Sequence, residues 1–181
     1  NWRNILMLKR NKIRKSVEVI SMVVGLLFLV SSCHTITPSY NYQTLAKAAI
    51  QLGVDIDMQD NHKLYIEASK WIRTPHRMGG NTQIGVDCSG FTQHIYKKVY
   101  RKKIPRSAQQ QYSKSYKISK SKLKEGDLVF FSSSRSRKRV NHVGIYLKDN
   151  LFIHTSSSQG VIVSSLKENY YRRNWIAGGR Y

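Results

Sequence analysis

Acidic side chains are scarce in this chain: ten aspartates and glutamates stand against 31 lysines and arginines, a net charge of +21 at pH 7. Cysteine is nearly absent too, with only Cys33 and Cys88. Number alone allows one disulfide, but each cysteine sits in a context that explains it separately, so no disulfide framework is expected. No Cys/His zinc spacing or other nucleic-acid signature accompanies the basic charge, and nucleic acid is not an expected partner. The main apolar run, Val19 to Val30, is 12 residues, well short of the roughly 20 that a membrane-spanning helix needs. No internal repeat is visible, and 181 residues suit one domain.

The charge that is present is not confined to the N-terminus. Residues 1–32 carry Arg3, Lys9, Arg10, Lys12, Arg14 and Lys15 against Glu18, so the remainder keeps +16 of the +21. Such a surface suits a polyanion or an anionic membrane. From Met7, a plausible true start, a charged segment precedes the Val19–Val30 run and then Ser31-Ser32-Cys33. These are the parts of a secretory signal over residues 1–32. Val30-Ser31-Ser32-Cys33 also resembles a bacterial lipobox. That resemblance implies cleavage before Cys33 and lipidation of it, which makes a stable membrane anchor. His34 follows where an aspartate would favour inner-membrane retention, which implies the outer membrane facing the periplasm. Residues 33–61 then read as a lipidated tether with a short helix, and residues 62–181 as the folded catalytic part.

Leu45, Ala48, Ala49 and Leu52 have helical spacing, with Gly53 as a stop. Leu64, Ala68 and Trp71 mark a second helix, with Trp71 in the core. Thr74 to Asn81 is a loop. Asp87 is a good N-cap for a helix that begins at Cys88 and shows Phe91, Ile95 and Val99 on one face. A thiol at the positive end of a helix is expected to ionise readily. Pro105-Arg106-Ser107 opens a further turn that Gln109 to Tyr112 continue. Lys114 to Lys124 reads as a solvated loop, and Ser132 to Arg139 as a basic one. Strands are expected at Asp127–Phe131, His142–Leu147, Leu151–Thr155, Val161–Leu166 and Trp175–Ala177. Helices first and an antiparallel meander after give an α+β class.

Thiol catalysis needs a base beside the nucleophile and a third group to orient that base. His142 opens one strand and His154 closes the next. A two-residue turn at Asp149-Asn150 pairs His154 with Ile145 and turns His142 to the other face. A three-residue loop, Lys148 to Asn150, pairs Gly144 with His154 and puts both histidines on one face. A Cys88 helix laid on that face then completes a Cys-His-His array. His62 and His94 are read as structural, with His94 facing solvent. The Cys-His-His set could also ligate a metal, but no carboxylate or fourth ligand stands at convincing spacing. No metal or cofactor is expected.

Asp87-Cys88-Ser89-Gly90, Pro105-Arg106-Ser107, Gly126-Asp127-Leu128-Val129-Phe130-Phe131, His142-Val143-Gly144-Ile145-Tyr146 and Phe152-Ile153-His154 together resemble the NlpC family of cell-wall cysteine endopeptidases. The match runs in order from about Leu64 to Tyr181. It implies a papain-like α+β domain that hydrolyses peptidoglycan stem peptides, at the bond from D-γ-glutamate to a diamino acid or at the D,D-crosslink. By position it implies Cys88 as nucleophile, His142 as base and His154 as the residue that orients it. Asp87, Ser89 and Ser107 fall at substrate-contact positions, with Asp87 both a cap and a ligand for a substrate ammonium. His76 stands where relatives commonly carry a tyrosine that supports the nucleophile or the oxyanion. The expected partners are stem peptides, plus a membrane reached through the lipid and the basic surface. The rival reading is a non-catalytic basic lipoprotein that binds wall or membrane.

Overall fold

The computed structural model describes residues 42–133 and 139–181. The stretch read as a secretory signal, Cys33 with its expected lipidation, and residues 134–138 of the basic loop lie outside the described residues. No described helix is long and apolar enough to cross a membrane.

Helix α1, Tyr42–Leu52, buries Leu45, Ala48 and Leu52 along one stripe. Gly53 ends it with φ +62°, a conformation that costs glycine little. Helix α2, His62–Ser69, starts at Asn61, whose side chain accepts from the Leu64 amide at 3.1 Å. Leu64, Tyr65 and Ala68 are fully buried and Trp71 nearly so. A small hairpin follows, β1 (Asn81–Thr82) with β2 (Gly85–Val86). It lies at the end of the expected loop, and two-residue strands carry too little periodicity to be read from sequence. Helix α3, Cys88–Val99, is capped by Asp87, and α4, Ala108–Lys114, by Ser107.

The remaining strands are β3 (Tyr116–Ile118), β4 (Leu128–Phe131), β5 (His142–Tyr146), β6 (Leu151–Ser156), β7 (Gly160–Ser165) and β8 (Trp175–Arg180), with α5 (Asn169–Asn174) before the last. They form one sheet in the order β3-β8-β4-β5-β6-β7, antiparallel throughout. Two elements differ from the sequence reading. Tyr116–Ile118 is a strand, not part of a solvated loop; it is a short edge strand, where polar and lysine residues are the rule. Asn169–Asn174 is a helix that the sequence reading did not anticipate.

Both faces of the sheet are covered. Leu128, Phe130, Val143, Ile145 and Ile153 share a core with Leu64, Trp71, Phe91 and Ile95. Val129, Phe131, Phe152 and Leu166 form a second core, flanked by Tyr171 and Trp175. Alternation along β4 feeds the two cores in turn, which explains why Leu128–Phe131 reads as a continuous apolar run.

Helix α3 packs on the Val143/Ile145/Ile153 face, not on the face that carries His142 and His154. The histidines point to the Phe131/Phe152 side, with Phe152 and His154 rings 4.9 Å apart. Cys88 meets them only because α3 and β5 start at the same end of the sheet, where one cleft is lined by both.

The β5–β6 connection fixes the register. Gly144 pairs with His154, Ile145 with Ile153 and Tyr146 with Phe152. Leu147 N donates to Leu151 O at 2.9 Å, and Leu151 N to Lys148 O at 2.7 Å. Asp149 and Asn150 have φ +53° and +66°, the positive φ pair of a type I′ turn, which these two residue types tolerate. A tight turn and one extra residue at Lys148 thus make the three-residue loop. Lys148 is itself held by Asp57 at 2.6 Å and Asp60 at 2.7 Å.

Candidate active site

Cys88 is partly buried at the first position of α3. Asp87 before it is extended, and its Oδ1 accepts from Gly90 N at 2.7 Å. Arg106 grips the same carboxylate with two bonds, Nη1 to Oδ1 at 2.9 Å and Nη2 to Oδ2 at 2.6 Å. Arg106 also donates to Ser89 Oγ at 3.0 Å and to Gly80 O at 3.1 Å. Ser89 Oγ donates to Asp87 Oδ1 at 3.0 Å, and Gly79 N to Oδ2 at 2.9 Å. Burial works to raise the Asp87 carboxyl, but the Arg106 guanidinium and the Gly90 amide outweigh it and hold the group below its ordinary range. A bidentate arginine is the strong form of such a pair. Asp87 and Ser89 are therefore engaged in the network that fixes the start of α3. Ser107 is exposed and caps α4, accepting from Gln110 N at 3.4 Å.

His142 Nε2 lies 3.0 Å from His154 Nδ1. Gly144 makes that approach feasible: a Cβ there would sit 2.7 Å from the Phe152 ring and 3.1 Å from His154 Cβ. His154 is 1% exposed. Its Nε2 lies 3.2 Å from Ser164 Oγ and 3.0 Å from the Tyr171 hydroxyl. The chain of contacts assigns the tautomers if His142 is to present a lone pair. In that arrangement His142 carries its proton on Nε2 and donates to His154 Nδ1. His154 carries its own on Nε2 and donates to the hydroxyls. His142 Nδ1 is then free to accept a proton.

Burial, reinforced by the charge of His76, pushes His142 down to about 4. Burial and the charge of His142 push His154 down to about 3. Both rings are neutral at pH 7. The thiol differs from expectation. Burial pushes Cys88 up from its ordinary value; a hydrogen bond from the Val143 amide pulls it down and the Asp87 charge adds to the rise. Desolvation outweighs the helix terminus here, so the resting pair is a neutral thiol and a neutral imidazole.

Cys88, His142, His154 and His76 line one cleft of about 260 Å³ with Tyr170 and Tyr171. His76 is held there by backbone pairing with Val86: Arg77 N donates to Val86 O at 3.1 Å, and Val86 N to Pro75 O at 3.0 Å. Asp87, Ser89 and Ser107 do not line this cleft. Sequence reasoning missed Arg106, Ser164 and Tyr171. Arg106 stood inside a quoted motif without a role. Ser164 pairs with Phe152, so strand parity would have placed it on the histidine face. Tyr171 comes from α5, which no periodicity announced. His94 is half-buried and keeps part of its ring exposed: it contacts Glu67 at 3.3 Å, and its ring centroid lies 4.5 Å from that of Trp71. Among the described residues no group of three or more His, Cys, Asp or Glu side chains is arranged to hold a metal ion.

Comparison with known proteins agrees with this architecture. A family model described as the NlpC/P60 family matches residues 73–180. A Haemophilus influenzae protein named "Probable endopeptidase NlpC homolog" is 35% identical over 183 residues, covering 89% of this chain and 97% of its own. The Escherichia coli protein "Murein DD-endopeptidase MepS/Murein LD-carboxypeptidase" is 40% identical over 105 residues, 58% of this chain and 54% of its own. The alignment thus spans about half of that relative. The crystal structure of an NlpC/P60 family protein from Bacillus cereus superposes with a TM-score of 0.63 at 30% identity, covering 70% of this chain and 42% of the other. The fold is the papain-like α+β domain expected from the motifs, and the chain belongs to the NlpC/P60 family.

Proposed function

We propose that the protein is a cysteine-type peptidoglycan endopeptidase that hydrolyses a stem-peptide amide by a Cys88-His142-His154 mechanism. The observation that carries this reading is a thiol at a helix start sharing a cleft with an imidazole whose far nitrogen is held 3.0 Å from a second imidazole. The endopeptidase names of its relatives support the same substrate class.

The pKa directions set the order of events. Neither partner is charged at rest, so the proton moves as the nucleophile attacks. Cys88 Sγ adds to the amide carbonyl carbon while its proton passes to His142 Nδ1. The negative oxygen of the tetrahedral intermediate is held by the Cys88 amide and by His76. His142 then gives the proton to the leaving amine, the C–N bond breaks, and a thioester remains. Water, deprotonated by His142, adds to the thioester and releases the new carboxylate and the thiol. His154 stays neutral throughout and keeps the base in the productive tautomer.

Mass spectrometry of purified peptidoglycan after digestion tests this reading. Fragments whose stem ends at glutamate identify the D-γ-glutamyl bond, and conversion of crosslinked dimers to monomers with intact stems identifies the D,D bond. A fragment pattern identical to that of the undigested polymer sinks the reading. His76 has its own test. His76→Ala should lower kcat about 10- to 100-fold, somewhat less than removal of a dedicated oxyanion donor. His76→Tyr should keep most of the activity. If the alanine variant matches the parent on every substrate, His76 has no part in the chemistry.

A further inference from the structure

The polar face of the nucleophile helix borders a second concavity. Gly90, Gln93, His94 and Lys97 follow the i, i+3, i+4, i+7 spacing of one helical stripe. With Asn81, Lys103 and Ile104 they line a groove of about 470 Å³, larger than the 260 Å³ cleft at Cys88. Lys97 and Lys103 are exposed, and neither has an ion-pair partner among the described residues. Lys98 and Arg101 beside them are likewise exposed and have no ion-pair partner among the described residues. Among the described residues no acidic side chain lines the groove. The carboxylate next to it, Glu67, already accepts from Lys70 at 2.7 Å and from His94 at 3.3 Å. A cation would meet two uncompensated ammonium groups here; an anion meets two free donors and the amide of Asn81.

The groove is also mechanically tied to the nucleophile. Gly90 lies two residues after Cys88, and a Cβ on it would stand 2.4 Å from Gly80 O. The segment before the helix therefore sits hard against its first turn.

We propose that this groove is an anchoring site for carboxylate groups of the polymeric substrate, apart from the cleft where the bond is cut. The proposal rests on the peptidoglycan reading. Its chemistry fits: a glutamate linked through its γ-carboxyl keeps its α-carboxylate free, so every stem peptide of that type presents an anion. A polymer chain that lies across both sites is held at the groove while one of its stems reaches Cys88.

Binding without turnover tests it. The full-length Cys88→Ala protein is co-sedimented with purified sacculi, alone and with Lys97→Gln and Lys103→Gln added. The added pair should weaken binding about tenfold at low salt, the scale of two screened surface ion pairs. The difference should vanish in high salt or on sacculi whose carboxylates have been amidated. Lys47→Gln with Lys63→Gln, two exposed lysines of α1 and α2, is the control. Equal binding by the groove variant overturns the proposal. So does an equal loss from the control pair, which would mean diffuse charge. In the active background the ratio of kcat/KM on sacculi to that on soluble stem fragments should fall by a similar factor. If the groove variant loses binding but the parent cleaves no stem peptide, the groove stands and the hydrolase reading falls.

Discussion

Cys88→Ala should lower peptidoglycan cleavage by about 10⁴-fold or more while the protein stays folded. Removing a covalent nucleophile costs about that much because the base and the orienting residue have nothing left to act on. The fold should tolerate it. The substitution removes one sulfur from a partly buried position, and the cap of α3 and its Arg106 clamp are built from other residues. Thermal denaturation should move by only a few degrees. Cleavage at the parent's rate would show that Cys88 is not the nucleophile. The parent also has an expected pH signature. With His142 near 4, kcat/KM should keep its value down to about pH 5 and fall below that, as protonation removes the base. With the thiol pushed up, alkylation of Cys88 by iodoacetamide, followed by peptide mapping, should accelerate through the alkaline range. A fast, pH-independent alkylation at neutral pH would reveal a thiolate–imidazolium pair and overturn the neutral resting state.

The parts of the site that were legible in the sequence are those set by local rules. The apolar period of Phe91, Ile95 and Val99 with Asp87 as a cap places Cys88 at a helix start, and all three are buried on one face. The parity of the hairpin narrows His142 and His154 to two arrangements, and the observed pairing of Gly144 with His154 selects the three-residue loop that puts both on one face. The side that α3 covers was not legible. Val143, Ile145 and Ile153 are as apolar as Phe131 and Phe152, so composition does not choose between two buried faces. Nor was the Asp87–Arg106 clamp, whose partners are 19 positions apart in different elements. The raised Cys88 thiol departs from what a helix start alone implies, for a related reason. A helix terminus is read from a few neighbours, whereas burial depends on how the whole sheet end closes around the sulfur.

His154→Ala should cost about 10³-fold or more in kcat with a smaller change in KM. Among the described residues the His142 ring has one hydrogen-bond contact, Nε2 to His154 Nδ1 at 3.0 Å. Without an acceptor there, the ring gains nothing from keeping its proton on Nε2. Moving the proton to Nδ1 would block the nitrogen that must receive the Cys88 proton. An orienting group lost in this way costs on the order of 10⁴ in a serine triad. His154→Asn separates orientation from mere packing. Its carbonyl oxygen falls close to the position of Nδ1 and can accept from His142 Nε2–H, so it should recover a large part of the loss. His154→Leu fills the space without an acceptor and should be as impaired as alanine. The hydroxyls behind His154 make a weaker version of the same argument. Tyr171→Phe leaves Ser164 Oγ at 3.2 Å as the remaining acceptor for Nε2–H, so its cost should stay within about tenfold, the range of one neutral hydrogen bond. If leucine and asparagine at position 154 perform alike, His154 acts only as filler and the tautomer argument fails.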